Sequence, residues 1–497
     1  MEKDALRISP SDNVAVALRE FAKGEIVQLD NLTVTLRNSI KRGHKFAIDR
    51  IAKGQDIIKY SMPIGRAVSD IEIGEHVHTH NAKTKLDALE SYIYLPESQP
   101  KTSVPVEERT IRAYKRFNGE IGIRNELWIV PTVGCTNAIG DQIITEFKKH
   151  VDLSAIDGAH IFKHSYGCSQ LGEDHENTKI ILQNIVKHPN AGGVLILGLG
   201  CENNQVSDFI KTLGEYDKER IRSLVIQDVK DEVEEGVHLL NELFITMVLD
   251  KRVAVPISCL RVGLKCGGSD GFSGITANPL IGRFSDYLVS AGGTSVLTEV
   301  PEMFGAETIL MNRAKDEETF KKIVSLINNF KSYFKRHDQT IYENPSPGNK
   351  EGGISTLEDK SMGCTQKAGS SKVVDVLNYG ERIKEQGLNL FYAPGNDLVA
   401  STALGATGCH MVLFSTGRGT PYGTFVPTVK ISTNSELFES KPKWIDFDSG
   451  CLLKDKNFDQ LTDEFIAYIC EVASGRYVNN EKNNFREIAI FKQGVTL

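Results

Sequence analysis

Beyond residue 111, short uninterrupted apolar runs alternate with longer amphipathic stretches, and this alternation constrains the fold more than any other feature. Runs that are apolar on both faces are typical of strands in a parallel sheet covered by helices. Helices are predicted between them, for example over 177–187, 231–250 and 278–291. We therefore expect an α/β body with mainly parallel sheets. The runs begin at 127, 159, 194, 223, 260, 294, 388 and 410, with the sequences LWIV, AHIF, VLILGL, SLVI, LRVGL, TSVL, LNLFYA and HMVLFS.

The first 85 residues have a different pattern. Short apolar runs such as NVAVAL, GEIVQL and NLTVTLR are separated by Gly and Asp, which predicts a small β-rich domain over 1–85. Residues 86–110 combine prolines with mixed charges, and we interpret them as a linker. The rest is too long for one ordinary sheet, so we predict two α/β subdomains, at 111–252 and 253–497.

Composition excludes several classes of function. The 497 residues carry 58 Lys and Arg against 65 Asp and Glu, and this net charge of -7 provides no basic field for nucleic acid. No apolar stretch reaches the roughly 20 residues of a membrane-spanning helix, and the N-terminus lacks a signal-peptide core, which favours the cytoplasm and no membrane partner. Nine cysteines, an odd number, argue against a disulfide framework. The expected partner is a small molecule, and homo-oligomer formation is left open.

Several predicted strands end in loops of Gly, Cys and small polar residues. In open α/β sheets ligands bind at the carboxyl ends of the strands, so we expect these loops to converge on one cleft. His164 in KHSYGCSQ is the leading candidate for proton transfer, because imidazole titrates near working pH and Tyr166 lies in the same loop. Tyr166 itself, and Lys265 and Asp270 in KCGGSDGFSG, are further catalytic candidates.

Substrate-binding candidates come from three other segments. Arg418 in STGRGTPYG offers a planar fork for a carboxylate, with Thr420 beside it. Asn349 and Lys350 in NPSPGNKEGG could bind a carboxylate, although such a loop alone is more often ordinary surface. Asn125, just before the run at 127, completes the set.

Three cysteines fall in register with the predicted strands. Cys135, Cys168 and Cys201 are spaced by 33 residues, close to the length of a βαβ unit, so they are expected at equivalent strand ends. Free cysteine is usually a buried packing residue, so the three cysteines are interpreted either as packing residues or as a thiolate or iron-proximal site. No CxxC pair supports a zinc ribbon. An iron–sulfur cluster held by Cys168, Cys201 and Cys266 is an alternative form of iron site.

The segment HVHTH carries the main metal hypothesis. His76, His78 and His80 alternate, so in a strand all three project from one face, where imidazoles can chelate one ion. With oxygen ligands, such a site suits Fe(II) or Mn(II). The alternative is a solvated edge strand that happens to carry histidines. His44 is a weaker candidate, because a lone histidine is usually structural.

A dinucleotide site is not supported. GLGCEN follows a predicted strand, but Asn203 stands where the last glycine of G-x-G-x-x-G should be. A nucleotide-dependent oxidoreductase therefore remains only an alternative, together with a non-catalytic small-molecule sensor.

Taken in order, these segments resemble the altronate and galactarate dehydratase family over nearly the whole chain. The matching segments are GHKFAI, GEHVHTHN, RNELWIVPTVGC, HSYGCSQLGEDH, GLGCENNQ, CGGSDGFSGITANP, TEVPEMFGAE, NPSPGNK, LEDKSMGCTQKAGSS and FSTGRGTPYG. The galactarate branch shares several of them but lacks the HVHTHN histidines. A related lyase branch acts on sulfolactate, with the two portions as separate chains.

The resemblance implies an N-terminal SAF-type domain with a β-clip fold, followed by a catalytic α/β body. It also implies an Fe(II)-stimulated dehydration of D-altronate to 2-dehydro-3-deoxy-D-gluconate in hexuronate (galacturonate) catabolism, with galactarate or another 2-hydroxy acid as the alternative substrate. Elimination across C2 and C3 needs a base for the C2 proton and an acid or metal for the departing hydroxyl. The resemblance does not assign the base.

Overall fold

The computed structural model describes residues 4–29, 31–86, 91–96, 109–454 and 456–494. Most of the predicted linker, residues 87–90 and 97–108, lies outside the described residues. Across the described ranges, no helix combines the length and apolar character needed to cross a membrane. The predicted fold class is confirmed, because a β-rich N-terminal part precedes a body with two parallel sheets.

The N-terminal part consists of short antiparallel strands. Its strands are β1 (Ala5–Leu6), β2 (Val14–Ala17), β3 (Ile26–Leu29), β4 (Leu32–Thr35), β5 (Lys45–Ala47), β6 (Asp56–Lys59), β7 (Met62–Ala67), β8 (His76–Val77) and β9 (Ala82–Lys83). They form sheets of order β1-β2-β5-β8, β3-β4 and β6-β7-β9. Two small apolar cores lie between these sheets, and the second core also includes Ala306 and Met362 of the body. The N-terminal part therefore packs directly on the body.

The first parallel sheet follows in the chain. Its segment contains β10 (Thr110–Lys115), β11 (Ile121–Gly122), β12 (Glu126–Pro131), α1 (Asn137–His150), β13 (Gly158–Ile161), α2 (Gly172–Val186), β14 (Ala191–Gly198), α3 (Val206–Lys211), β15 (Ile221–Val225), α4 (Glu232–Met247) and β16 (Val253–Pro256). The parallel order is β13-β12-β14-β15. Helices α1 and α4 cover one face, and α2 and α3 cover the other. β10, β11 and β16 form a separate antiparallel sheet that the sequence pattern did not predict.

The second parallel sheet has seven strands. Its segment contains β17 (Arg261–Cys266), α5 (Ala277–Ser290), β18 (Thr294–Leu297), α6 (Glu307–Met311), α7 (Glu317–Arg336), α8 (Pro347–Glu351), α9 (Leu357–Cys364), β19 (Val373–Leu377), β20 (Gly387–Phe391), α10 (Asp397–Ala406), β21 (Met411–Thr416), β22 (Thr428–Ser432), α11 (Ser435–Ser440), β23 (Phe447–Asp448), α12 (Phe458–Ala473) and α13 (Asn479–Lys482). The order is β19-β20-β18-β17-β21-β22-β23, with β17 near the centre. All eight predicted apolar runs form strands of the two parallel sheets.

Candidate active site

Four histidines of the N-terminal part lie together. The antiparallel pairing of β5 with β8 places Phe46 opposite His76 and brings His44, one residue before β5, beside the same strand. His44 Nδ1 lies 3.0 Å from His76 Nε2. Neighbouring rings among His44, His76, His78 and His80 have centroids 5.0–5.5 Å apart. His44, the weaker sequence candidate, is thus a member of the cluster.

The local backbone differs from the predicted strand. β8 ends at Val77, and residues 78–81 form a turn in which the Asn81 amide donates to the His78 carbonyl at 3.0 Å. The Asn81 side chain closes the turn by donating to the His76 carbonyl and accepting from the His78 amide, both at 2.9 Å. The expected same-face alternation through His80 is therefore wrong. Strand pairing and a tight turn gather the histidines instead.

Burial disfavours protonation of three of the four imidazoles. Burial, assisted by neighbouring imidazoles and by Lys45, lowers the pKa of His76 to about 4 and the pKa of His78 to about 3. Burial also lowers the pKa of His44. Neutral imidazoles retain the lone pair that a metal ion requires, so this donor set is compatible with a divalent cation.

Two contacts join the histidines to the body of the protein. His44 Nε2 lies 3.0 Å from the Glu351 carbonyl oxygen, at the end of α8. His78 Nδ1 lies 3.1 Å from Ser355 Oγ, in the segment between α8 and α9. The histidine cluster therefore faces helix α8, which contains the predicted residues Asn349 and Lys350.

A buried ion network holds the same boundary. Lys45 Nζ donates to the Gly353 carbonyl, Ser355 Oγ and Asp359 Oδ2 at 2.7–2.8 Å, and Lys59 Nζ lies 3.1 Å from Asp359 Oδ1. All three charged side chains are almost fully buried. Although burial opposes ionisation, the two ammonium groups hold the pKa of Asp359 well below its usual range. Lys45 and Asp359 were not among the residues predicted from sequence.

A cavity of about 550 Å³ opens beside the histidine turn. Its wall includes Thr79, which lies between two of the histidines, and Ser355, which contacts His78. Four basic side chains contribute to the wall, and they favour an anionic ligand. These are Arg66, Lys83, Lys85 and Lys350. A second cavity of the same volume, near the amino end of β14, is lined by none of the predicted site residues.

Arg418 and Lys350 lie on this side of the body. Arg418 Nη1 is 3.0 Å from Glu351 Oε2 and 3.3 Å from the Gly348 carbonyl oxygen, so the loop after β21 meets α8. The Arg418 side chain remains 46% exposed, which leaves its guanidinium accessible to a ligand. Thr420 is half-buried two residues further on.

Asn349 has a different environment from Lys350. It is buried, and its side chain caps α8 by accepting from the Ser346 amide and hydroxyl at 3.2 and 2.9 Å. Its Nδ2 donates to the Ser269 carbonyl at 2.9 Å. These contacts hold α8 against the loop after β17. The structure therefore gives Asn349 a structural role at the site rather than direct access to substrate.

Asp270 lies in the loop after β17, next to α8. Its carboxylate accepts hydrogen bonds from Thr433 Oγ1 at 2.8 Å and from Ser273 Oγ at 3.0 Å. Burial raises the pKa of Asp270, and these hydrogen bonds oppose that effect. A Cβ at Gly417 would lie 2.2 Å from Asp270 Cγ, so the loop that carries Arg418 needs glycine at this position.

A group of side chains that could bind a metal ion lies deeper in the body. Among the described residues, one group of three His, Cys, Asp or Glu side chains has all its ligand atoms within 4.8 Å of one another. Its members are Cys266, Glu302 and Cys364. The two sulfurs are 3.4 Å apart and lie 3.3 and 3.1 Å from Glu302 Oε2. Lys367 Nζ is 2.9 Å from Cys266 Sγ, and Lys360 Nζ is 2.8 Å from Glu302 Oε1. Two lysine ammonium groups thus already contact this group.

Lys265 belongs to the same buried network. It pairs with Glu299 and, at 2.8 Å, with Asp397 Oδ1. Although burial opposes the charge, the carboxylates of Asp397 and Glu299 raise the pKa of Lys265 well above its usual range. Lys265 therefore remains an ammonium group and cannot act as a base near neutral pH.

Three predicted residues flank strands of the first parallel sheet and lie away from α8 in sequence and sheet. Both ring nitrogens of His164 are bonded to backbone, to the Pro131 carbonyl at 2.8 Å and to the Tyr166 amide at 3.1 Å, and burial lowers its pKa. This arrangement does not support the predicted proton-transfer role of His164. Tyr166 packs on the apolar core, and Asn125 is fully buried, where it accepts from Arg116 Nη1 at 3.0 Å.

The alternative cluster ligands are divided between the two sheets. Cys168 and Cys201 are exposed beyond β13 and β14, whereas Cys266 is buried at the end of β17. Cys266 contacts Glu302 and Cys364 instead. Cys266 therefore lies with Glu302 and Cys364 at the second parallel sheet, whereas Cys168 and Cys201 lie in loops of the first.

Comparison with known proteins agrees with this architecture. The altronate/galactarate dehydratase SAF domain model matches residues 3–85. The model of the second domain of D-galactarate dehydratase/altronate hydrolase matches 113–247, and the D-galactarate/altronate dehydratase C-terminal model matches 257–496. The chain is 59% identical, over 99% of both chains, to altronate dehydratase of Escherichia coli (strain K12).

The chain belongs to the altronate and galactarate dehydratase family. Two further members of this family differ in their sequence identity to the chain. The chain is 57% identical to altronate dehydratase of Bacillus subtilis (strain 168) over the full length of both chains. Galactarate dehydratase (L-threo-forming) of Escherichia coli (strain K12) is 30% identical, with 95% of this chain and 93% of that chain covered.

Proposed function

We propose that this chain is a hydro-lyase that converts altronate to 2-dehydro-3-deoxy-D-gluconate and water. The observation that carries the proposal is its 57–59% identity, over essentially the full length, to two altronate dehydratases. The galactarate dehydratase is a more distant relative at 30%. A monocarboxylate sugar acid is therefore favoured over a dicarboxylate substrate.

The reaction site in this proposal is the boundary between the histidine cluster and α8. The basic wall of the adjoining cavity suits the substrate carboxylate. Arg418 and Lys350 would orient its oxygens, because a guanidinium binds a carboxylate through two parallel hydrogen bonds and an ammonium adds a point charge. Asp270 and Asn349 keep the loops after β17 and β21 against α8.

The histidine cluster is the better place for a divalent metal, Fe(II) or Mn(II). Burial lowers the pKa of His44, His76 and His78, which lie beside the turn whose Thr79 lines the cavity, whereas Lys367 and Lys360 already contact Cys266 and Glu302 in the deeper group. A metal cation at this buried group would be repelled by the lysine ammonium groups that are already present. When bound, the metal supplies Lewis acidity toward the hydroxyl and carboxylate oxygens of the substrate.

The activity is tested by supplying altronate or galactarate without nucleotide and measuring the 2-keto acid product. We expect altronate to be preferred by at least about tenfold in kcat/KM, equivalent to about 1.4 kcal/mol of transition-state stabilisation. Preference for galactarate would contradict the substrate. Product formation only with added NAD would indicate an oxidoreductase, and tight binding without turnover would indicate a sensor.

A further inference from the structure

Three loops at one edge of the first parallel sheet each expose a cysteine. Cys135 follows β12, Cys168 follows β13 and Cys201 follows β14. Of the nine cysteines, these three are the exposed ones, and the other six are buried or half-buried. Free cysteine is among the most buried residue types, so exposure confined to this edge is not explained by packing.

The three loops are bonded to one another rather than merely adjacent. The Gly134 amide, next to Cys135, donates to the Tyr166 carbonyl at 2.8 Å. The Asn204 amide donates to the Gly167 carbonyl at 3.0 Å, and the Asn204 side chain donates to the Thr132 carbonyl at 3.0 Å. A Cβ at Gly167 would lie 2.1 Å from the Thr132 oxygen. The residues flanking the cysteines are therefore held in fixed relative positions.

This edge is also where the sheet topology favours a ligand. β12 connects through α1 on one face, and its neighbour β14 connects through α3 on the other face. Such a reversal opens a crevice between the carboxyl ends of the two strands, where α/β proteins bind ligands. Cys135 and Cys201 lie in the two loops that border this crevice.

Polar side chains lie near two of the three sulfurs. Gln227 Nε2 lies 3.7 Å from Cys201 Sγ, and Ser169 Oγ lies 3.9 Å from Cys168 Sγ. Cys135 lies two residues before the 14-residue helix α1.

The three loop sulfurs are not gathered closely enough to share one metal ion. Thiolates that share one tetrahedral ion, at metal–sulfur bonds of about 2.3 Å, lie about 3.8 Å from one another. Within the described part of the chain, the three loop cysteines do not form a group with all ligand atoms inside 4.8 Å. A polynuclear cluster, in which each thiolate binds a different iron, needs more widely set sulfurs.

We propose that Cys135, Cys168 and Cys201 together bind an iron–sulfur cluster. Each thiol loses its proton when its sulfur binds iron, and a preassembled cluster enters without a redox change in the protein. Three protein ligands leave one iron of a four-iron cluster without a cysteine. The site is distinct from the histidine cluster, and the proposal does not depend on the identity of the sugar acid.

The experiment compares anaerobically purified wild type with Cys135→Ser, Cys168→Ser and Cys201→Ser, each after reconstitution with iron, sulfide and a thiol reductant. Iron, acid-labile sulfide and visible charge-transfer absorption are measured. We expect sulfide in wild type and the loss of most of it in each variant. Cys470→Ser, which changes a half-buried cysteine on α12, is the matched control and should retain the wild-type sulfide content.

Alkylation of wild type avoids the risk that a variant fails to fold. Iodoacetamide should leave the three loop cysteines unmodified in the sulfide-containing protein and modify them after the cluster is removed by chelation, as read by peptide mass spectrometry. Sulfide-free wild type, or sulfide retained in the triple serine variant, would overturn the proposal. Sulfide-containing protein that does not dehydrate altronate would instead refute the proposed function and leave this site intact.

Discussion

Replacing Asp359 with Asn should strongly destabilise the attachment of the N-terminal part to the body. Asp359 lies on α9, and its two partners, Lys45 and Lys59, lie on β5 and at the end of β6. The substitution keeps the shape but leaves two buried ammonium groups without a carboxylate. Removing one partner of a buried ion pair costs about 3–5 kcal/mol, because the remaining charge stays desolvated. Here one carboxylate serves two cations, so we expect the upper part of that range.

The assay is urea unfolding followed by circular dichroism at neutral pH, with altronate kcat/KM measured on the folded fraction. Asp56→Asn is the matched control, because Asp56 pairs at 2.9 Å with Lys85 on the surface of the same N-terminal part, and such pairs contribute about 0–1 kcal/mol. Adding Lys59→Met to Asp359→Asn removes one unpaired ammonium and should restore part of the lost stability. An Asp359→Asn protein within about 1 kcal/mol of wild type, like the control, would refute this reasoning.

Chelation should abolish dehydration, and Fe(II) or Mn(II) should restore it; full turnover by metal-free protein would exclude the metal. His78→Ala combined with His80→Ala should lower both turnover and bound metal while Tm stays near wild type, and unchanged kinetics would return these histidines to a structural role. Arg418→Lys should lose roughly 1.5–3 kcal/mol of transition-state stabilisation, about ten- to more than hundredfold in kcat/KM, because the bidentate fork is lost; a lower Tm with normal kcat/KM would instead indicate a bracing role. Burial lowers the pKa of His188 from 6.5 to about 3, so below pH 6.5 the unfolded state binds more protons than the folded state and stability decreases as the pH is lowered. Tm should therefore decrease from about pH 7 to about pH 5, and His188→Gln should make that decrease shallower; an equal slope would contradict the assignment.

Prediction of the fold succeeded where burial leaves a simple pattern in the sequence. Strands covered on both faces must be apolar throughout, which is why VLILGL and the other runs were recognisable. β10 and β16 were missed, because short antiparallel strands with mixed burial resemble ordinary connecting segments. The predicted α/β body and β-rich N-terminal part therefore emerged from local sequence, and the additional antiparallel sheet did not.

Prediction of the site was less complete. The HVHTH segment and Arg418 were recognisable because histidines and an arginine among glycines are unusual locally. Lys45 and Asp359 gave no comparable signal, since a lysine within GHKFAI or an aspartate within LEDKSM is ordinary until its partner is known. For His164, the sequence did not show that backbone groups contact both of its ring nitrogens.

The sequence by itself determined the alternation of strands and helices, the separation of a β-rich N-terminal part, and the types of side chain available for chemistry. Those properties depend on local periodicity and composition, which persist in the unfolded chain. Only the tertiary structure decided that His44 joins His76 and His78 and that Cys266 pairs with Cys364. Side chains far apart in sequence meet only after strand order and loop packing are established, and a one-dimensional pattern does not encode those distances directly.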